Sequence, residues 1–264
     1  MSAPVDLKNP GRALRVGVIL IDSQVDPFLK ALSSESHIIT RSRKMLLTVV
    51  QYRVTEILDV APIDLFTSIS KEFTKDMPEY FMPQRFKQHA YDVEFHWVSA
   101  TGGLMNLTSG IKLQATHSFD NCPPLDVVLM GAHNLAMEQP SDAELAFIRK
   151  SYEQCAAFMC ICAGMMPPLQ AGLLQGKTAT APLPMLDELR KQAPDVNWVA
   201  KRWANDGKLW TSGALLNGQD MMVAFAEHTW GKKAADGKPL EMVEHMIKLG
   251  GWPVRDVDYK DTAF

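Results

Sequence analysis

Short, unbroken apolar runs alternate along this chain with stretches whose apolar residues recur every three or four positions. Residues 16–21 (Val-Gly-Val-Ile-Leu-Ile), 126–130 (Asp-Val-Val-Leu-Met) and 156–160 (Ala-Ala-Phe-Met-Cys) are runs of the first kind. Strands buried on both faces read this way, because neither set of alternating side chains meets water. Residues 93–98 (Val-Glu-Phe-His-Trp-Val) alternate more plainly, as a strand with one polar face, and 111–116 fits a further short strand. Helical periodicity marks 141–154, opened by Ser141 with Glu144 three residues on, the spacing of a capping box. Its Leu145, Phe147, Ile148 and Tyr152 share one face. Further helices are predicted over 185–192, 217–230 and 240–249, the last two closed by Gly231 and by Gly250-Gly251. Residues 198–210 predict two strands folded about Asn205-Asp206-Gly207. Together these elements predict an α/β fold: a mostly parallel sheet with helices on both faces.

No repeat, low-complexity tract or linker divides the chain, so residues 1–264 are read as a single domain. One stretch fits badly. Residues 24–53 follow the first strand directly, show no clear period, and carry a net +3 within a chain whose formal charge is −3. That stretch is read as an insertion, either a lid or interface element or a retained short intron. Residues 232–264 are read as a C-terminal helical extension to a core of about 15–231. With 27 Lys+Arg against 30 Asp+Glu there is no electrostatic case for nucleic acid. Residues 154–176 lack any charge and are long enough to span a bilayer, yet Gly164, Pro167, Pro168 and Gly172 break them into a strand, a turn and a helix. No signal-like start is present, and a soluble, cytoplasmic protein without membrane attachment is expected.

Four cysteines are too few for a disulfide scaffold, and three of them fall within 155–162. Cys155 and Cys160 read as small buried hydrophobes. Cys-x4-Cys-x-Cys on one strand cannot wrap a tetrahedral ion, so no metal or other cofactor is expected. Cys162 differs, because it ends a buried run and is followed by Ala163 and Gly164. Small residues there suit a sharp strand-to-helix turn of the nucleophile-elbow kind. Free N–H groups at the start of the next helix would favour thiolate over thiol.

In this setting the chain resembles the ThiJ/PfpI superfamily, of the class I glutamine amidotransferase-like fold, and within it a fungal-type member of the isocyanide-hydratase-like branch. The resemblance rests on several blocks in order: Ile161-Cys-Ala-Gly164 followed by Ala171-Gly-Leu-Leu-Gln-Gly-Lys-Thr-Ala-Thr180, Leu58-Asp-Val-Ala-Pro62, Leu125-Asp-Val-Val-Leu-Met-Gly-Ala132, and Trp203-Ala-Asn-Asp-Gly-Lys-Leu-Trp-Thr-Ser-Gly213. It implies a flavodoxin-like three-layer sandwich, Cys162 as nucleophile and Asp59 as its acid–base partner. A carboxylic acid bonded to sulfur would stabilise the thiolate and stay protonated beside it. Asp59 could instead cap a helix starting near Pro62. Ala132, after Gly131, and Ala163 would offer N–H groups to a developing anion.

The chain also departs from the family pattern. Ala163 stands where the hydratase branch has threonine, and Ala179-Thr-Ala-Pro-Leu183 lacks the histidine and tryptophan of the corresponding block. His133, leaving a strand at the edge where open α/β sheets bind ligands, is the candidate to replace the missing base. His228 and His245 read as structural or exposed, and Trp97, Trp203 and Trp210 as packing. The resemblance implies a small-molecule enzyme in which Cys162 attacks an electrophilic carbon, as in isocyanide hydration. The alternatives are a glutathione-independent glyoxalase-like lyase acting on 2-oxoaldehydes, or a redox-sensing protein in which Cys162 oxidises. It also implies a homodimer.

Overall fold

The computed structural model describes residues 3–21, 54–133, 140–231 and 241–260; the insertion read at 24–53 lies outside them. In the first half of the chain run β1 (Leu14–Ile19), α1 (Ile57–Val60), α2 (Asp64–Ser68), α3 (Lys71–Thr74), α4 (Gln84–Lys87), β2 (Val93–Ser99), β3 (Leu104–Asn106), β4 (Lys112–Gln114), β5 (His117–Ser118) and β6 (Val127–Met130). There follow α5 (Asp142–Gln154), β7 (Ala157–Ile161), α6 (Met166–Gln170), β8 (Thr178–Ala179), α7 (Leu186–Gln192), β9 (Asn197–Trp198), β10 (Trp203–Asp206), β11 (Leu209–Ser212), α8 (Asn217–Trp230) and α9 (Glu241–Leu249).

Seven strands form the central sheet in the order β10-β11-β7-β6-β1-β2-β5, with every neighbour parallel except β10 and β11. Successive residues of its central strands enter opposite cores, as a period of two requires. Val16, Val18, Val127, Leu129, Met159 and Ile161 pack with Phe66 of α2 and with Phe225 and Trp230 of α8. Ile19, Val128, Met130, Phe158 and Cys160 pack on the other side with Phe147 and Ile148 of α5 and with Leu186 and Leu189 of α7. Both faces are covered, which is why these strands read as unbroken apolar runs. Each large side chain so buried contributes about 1.5–3 kcal/mol. The α/β sandwich expected from the pattern is therefore the fold observed.

The Ser141 capping box forms as expected: its hydroxyl accepts the Glu144 N–H, while the Glu144 carboxylate accepts the Ser141 N–H at 2.7 Å. Two expectations change. Residues 111–116 contribute only β4, which pairs with β3 in a small hairpin outside the main sheet. Of 198–210, only the part from Trp203 joins the sheet; Trp198 belongs to β9, which pairs with β8. Between them the chain is drawn to the C-terminal segment. The Arg202 N–H bonds Val257 O, and its buried guanidinium donates to the carbonyls of Asp256 and Asp258 at 2.7 and 2.8 Å. The uncharged stretch 154–176 folds as β7, a turn and α6, and among the described residues no helix is long and apolar enough to cross a membrane.

Candidate active site

Parallel strands β1, β6, β7 and β11 end at one edge of the sheet, and the candidate residues gather there. Cys162 follows β7 directly with φ of 57°, in the left-handed region that a non-glycine residue enters at a cost of about 1 kcal/mol or more. Its N–H is held by Gly213 O at 2.9 Å, just past β11. Gly164 lets the turn press against the end of β6: a Cβ there would lie 2.5 Å from Met130 O and 2.7 Å from the Gly131 carbonyl carbon. No side chain fits. A 3-10 turn, Cys162–Met165, then leads into α6, with Pro167 and Pro168 in its first turn, where N–H groups have no intrahelical partner.

The sulfur is met by a second strained residue. Leu215, with φ of 36°, directs its N–H at Cys162, as does Ala163 from within the turn. Cys162 is 9% exposed, and burial together with the charges of Asp59 and Glu56 pushes its thiol up to about 11 against the pull of these two N–H groups. Helix α6 begins four residues beyond the sulfur, and a helix terminus acts only over its first turn.

Asp59 sits in α1 and is 0% exposed. Its Oδ2 accepts the Ala132 N–H at 2.8 Å, while Oδ1 is buried without a hydrogen-bond partner among the described residues. Burial first, and the nearby charge of Glu56, raise its pKa to about 7, although the Ala132 N–H opposes the shift. Gly131 is needed for this approach, since a Cβ would stand 2.8 Å from that of Asp59. Two expectations are corrected by this geometry. Asp59 caps no helix, because its carboxyl reaches across to the end of β6. The Ala132 N–H, expected as a donor to a developing anion, is already committed to Asp59, and the Ala163 N–H is turned toward sulfur.

Glu56, absent from the sequence-based site, completes the group. One carboxylate oxygen each from Glu56 and Asp59 and the Cys162 sulfur lie within 4.8 Å of one another. Glu56 lies three residues before Asp59, a spacing that a short helix turns to one side; that was the signal available in the sequence. A thiol with two carboxylates and no histidine matches no common metal preference, so the cluster is read as acid–base machinery. His133 lies beside this group, its backbone bridged to Thr55 while Glu56 N–H bonds Ala132 O at 3.0 Å, but its ring is not part of the 4.8 Å cluster.

The other groups are structural. Cys155 and Cys160 are fully buried in the second core. Trp97, Trp203 and Trp210 pack in the first core. His245 stacks on Phe86, and His228 is exposed with its ring edge-on to Trp210. An apolar cavity of about 570 Å³, bordered by Phe73, Phe81, Met246 and Trp252, shares no residue with the cluster.

A parallel α/β sandwich with a cysteine on a strained turn at its C-terminal edge defines a fold class that comparison with known proteins makes specific. Residues 69–228 match the DJ-1/PfpI family, and the chain belongs to that family. It is 29% identical over 173 residues to isonitrile hydratase of Pseudomonas putida, covering 65% of this chain and 73% of that protein. Among solved structures it is similar to a ThiJ/PfpI family protein from Pseudomonas syringae, with a TM-score of 0.59 and 13% identity over 95% of this chain and 80% of that one. Drosophila melanogaster DJ-1beta gives a TM-score of 0.57 at 15% identity, covering 92% of this chain and all of that one.

Proposed function

We propose that the protein is a hydratase or lyase of small molecules in which Cys162 adds to an electrophilic carbon, with isocyanide hydration the leading reaction. One observation carries the reading: the Cys162 sulfur and the buried Asp59 carboxyl share a 4.8 Å cluster, with Asp59 Oδ1 unpartnered among the described residues and able to hold a proton near neutral pH. The similarity to isonitrile hydratase supports the choice of substrate class. In the first step sulfur bonds to the terminal isocyanide carbon as Asp59 gives its proton to that same carbon and takes up the thiol proton in its place, leaving a thioimidate. Water then bonds to this carbon, the carbon–sulfur bond breaks, and an N-substituted formamide leaves as Cys162 recovers its proton. The sum is isocyanide plus water giving formamide.

Oxidation of cysteine follows thiolate character and exposure. The low exposure of Cys162, 9%, therefore weighs against the redox-sensor alternative. The discriminating experiment supplies wild type and Cys162→Ala with a small isocyanide and, separately, with methylglyoxal, and follows formamide and lactate. Formamide from wild type but not from Cys162→Ala is expected. Lactate alone would move the assignment to the glyoxalase-like lyase, and no Cys162-dependent product from either would overturn an enzymatic role. A homodimer belongs to the same proposal, and light scattering of the purified protein measures it.

A further inference from the structure

The loop from β11 to α8 meets the turn that carries Cys162 twice. Gly213 O accepts the Cys162 N–H at 2.9 Å, and the strained Leu215 aims its N–H at the sulfur. A left-handed φ at a leucine persists only where its surroundings over-determine it. Burial does not do so here, because Ala214, Leu215 and Leu216 are all exposed. The loop is held instead at its two ends, and both holds come from residues 255–259.

At Gly213 the hold is made through backbone. The Gly213 N–H bonds Arg202 O at 2.9 Å, and the Arg202 N–H bonds Val257 O at 2.8 Å, while the buried Arg202 guanidinium donates to Asp256 O and Asp258 O. At the start of α8 it is made by side chains. The Tyr259 hydroxyl donates to Asn217 Oδ1 at 3.0 Å, and Arg255 clasps Asp220, three residues further on, at 3.0 and 2.5 Å. The Arg202 guanidinium lies over the Tyr259 ring, 4.8 Å from its centre, so the two holds form one assembly. Gly213 shows how closely it is fitted: a Cβ there would stand 2.6 Å from the Tyr259 hydroxyl and 2.8 Å from Asn217 Oδ1.

We propose that Tyr259 is a positioning residue for the nucleophile: through Asn217 it fixes the loop 213–217, and so keeps the Gly213 carbonyl and the Leu215 N–H set against Cys162. The inference rests on Cys162 being the nucleophile and not on the choice of isocyanide as substrate. An N–H aimed at sulfur favours thiolate, so a loosened loop makes the thiol harder to ionise. The charged groups facing the sulfur are Asp59 and Glu56, and those around the Tyr259 hydroxyl are Arg202, Asp220 and Arg255. Tyr259→Phe alters none of them and keeps the ring beneath Arg202, so a change at sulfur in that variant comes through the loop.

The first measurement needs no substrate. Alkylation of Cys162 by iodoacetamide is followed across pH by mass spectrometry of the Cys162 peptide in wild type, Tyr259→Phe, Asn217→Ala and the double variant. Arg12→Ala, which cuts the pair with Asp126 before β6, serves as a control for general loosening of the fold. The alkylation midpoint is expected to rise by about half a pH unit in each single variant and no further in the double variant, since both break one link. In Arg12→Ala it should stay at the wild-type value. With a small isocyanide, kcat in Tyr259→Phe should fall about tenfold with KM within about twofold of wild type, because the change acts on the nucleophile rather than on binding. An unchanged midpoint in Tyr259→Phe and Asn217→Ala, or an equal rise in Arg12→Ala, overturns the inference. If wild type turns over no isocyanide, the hydratase reading fails, and the midpoints still decide whether Tyr259 acts on Cys162.

Discussion

Strand β6 has a buried aspartate at each end, and the two are treated in opposite ways. Asp126, just before the strand, is 4% exposed. Its two oxygens accept a pair of bonds from the Arg12 guanidinium at 2.7 and 2.8 Å and a third from the Arg15 N–H at 2.8 Å. Asp59, held at the far end by Ala132, is 0% exposed and receives one N–H, with no cation bound to it among the described residues and a second carboxyl nearby. A third buried aspartate, Asp220 in α8, is clasped by Arg255. Burying a charge is costly unless it is paired. The arginine-bound aspartates meet that cost with a partner and act as struts. Asp59 meets it by keeping a proton, and a group that keeps a proton near pH 7 is one that can give it away.

The comparison breaks most sharply at Asp59 itself. Asp59→Asn keeps the shape and the Ala132 bond but removes the acid, and Cys162-dependent turnover should fall by about 10²–10⁴-fold. The same substitution should leave a trace in stability. Below the unfolded value of 3.8 both states of wild type are protonated and Asp59 costs nothing. As pH rises the unfolded chain ionises first, and stability falls until the folded group ionises at about 7. The accumulated loss is on the order of 4 kcal/mol. Asp59→Asn escapes it, so in denaturant titrations it should match wild type at acid pH and exceed it above neutrality.

At the other end of β6 the expected effect is smaller and purely structural. Arg12→Ala strips Asp126 of its guanidinium and should lower stability by about 2 kcal/mol with turnover unchanged. The mildest case is Cys160→Ala, two residues before Cys162 but inside the second core, expected to cost about 1 kcal/mol and leave kcat as it was. If Arg12→Ala impaired turnover as strongly as Asp59→Asn, the distinction between strut and acid would collapse.

Much of the fold was legible because it follows from local rules. The runs at 126–130 and 156–160 are apolar since both faces of β6 and β7 are covered, and Ser141 with Glu144 announces its own cap. Cys162 stood out for the same kind of reason: Gly164 is small because the turn lies against Met130 and Gly131. What escaped depended on contacts remote in sequence. That the Ala132 N–H is taken by Asp59 could not be read from either segment alone. Glu56 gains its meaning from a backbone bond to Ala132, and Leu215 from a strained turn that meets the sulfur. The strand expected over 111–116 shrank to β4 because alternation fixes a local conformation, not the sheet that the strand joins.

The central claim is that Asp59 holds a proton up to about pH 7. Infrared difference spectroscopy of wild type against Asp59→Asn, recorded from about pH 5 to about pH 9, observes that proton directly. The account requires a carboxylic-acid carbonyl band in wild type, missing from Asp59→Asn, that disappears with a midpoint near the value of about 7. A wild-type spectrum showing only carboxylate at that position across the whole range would contradict it.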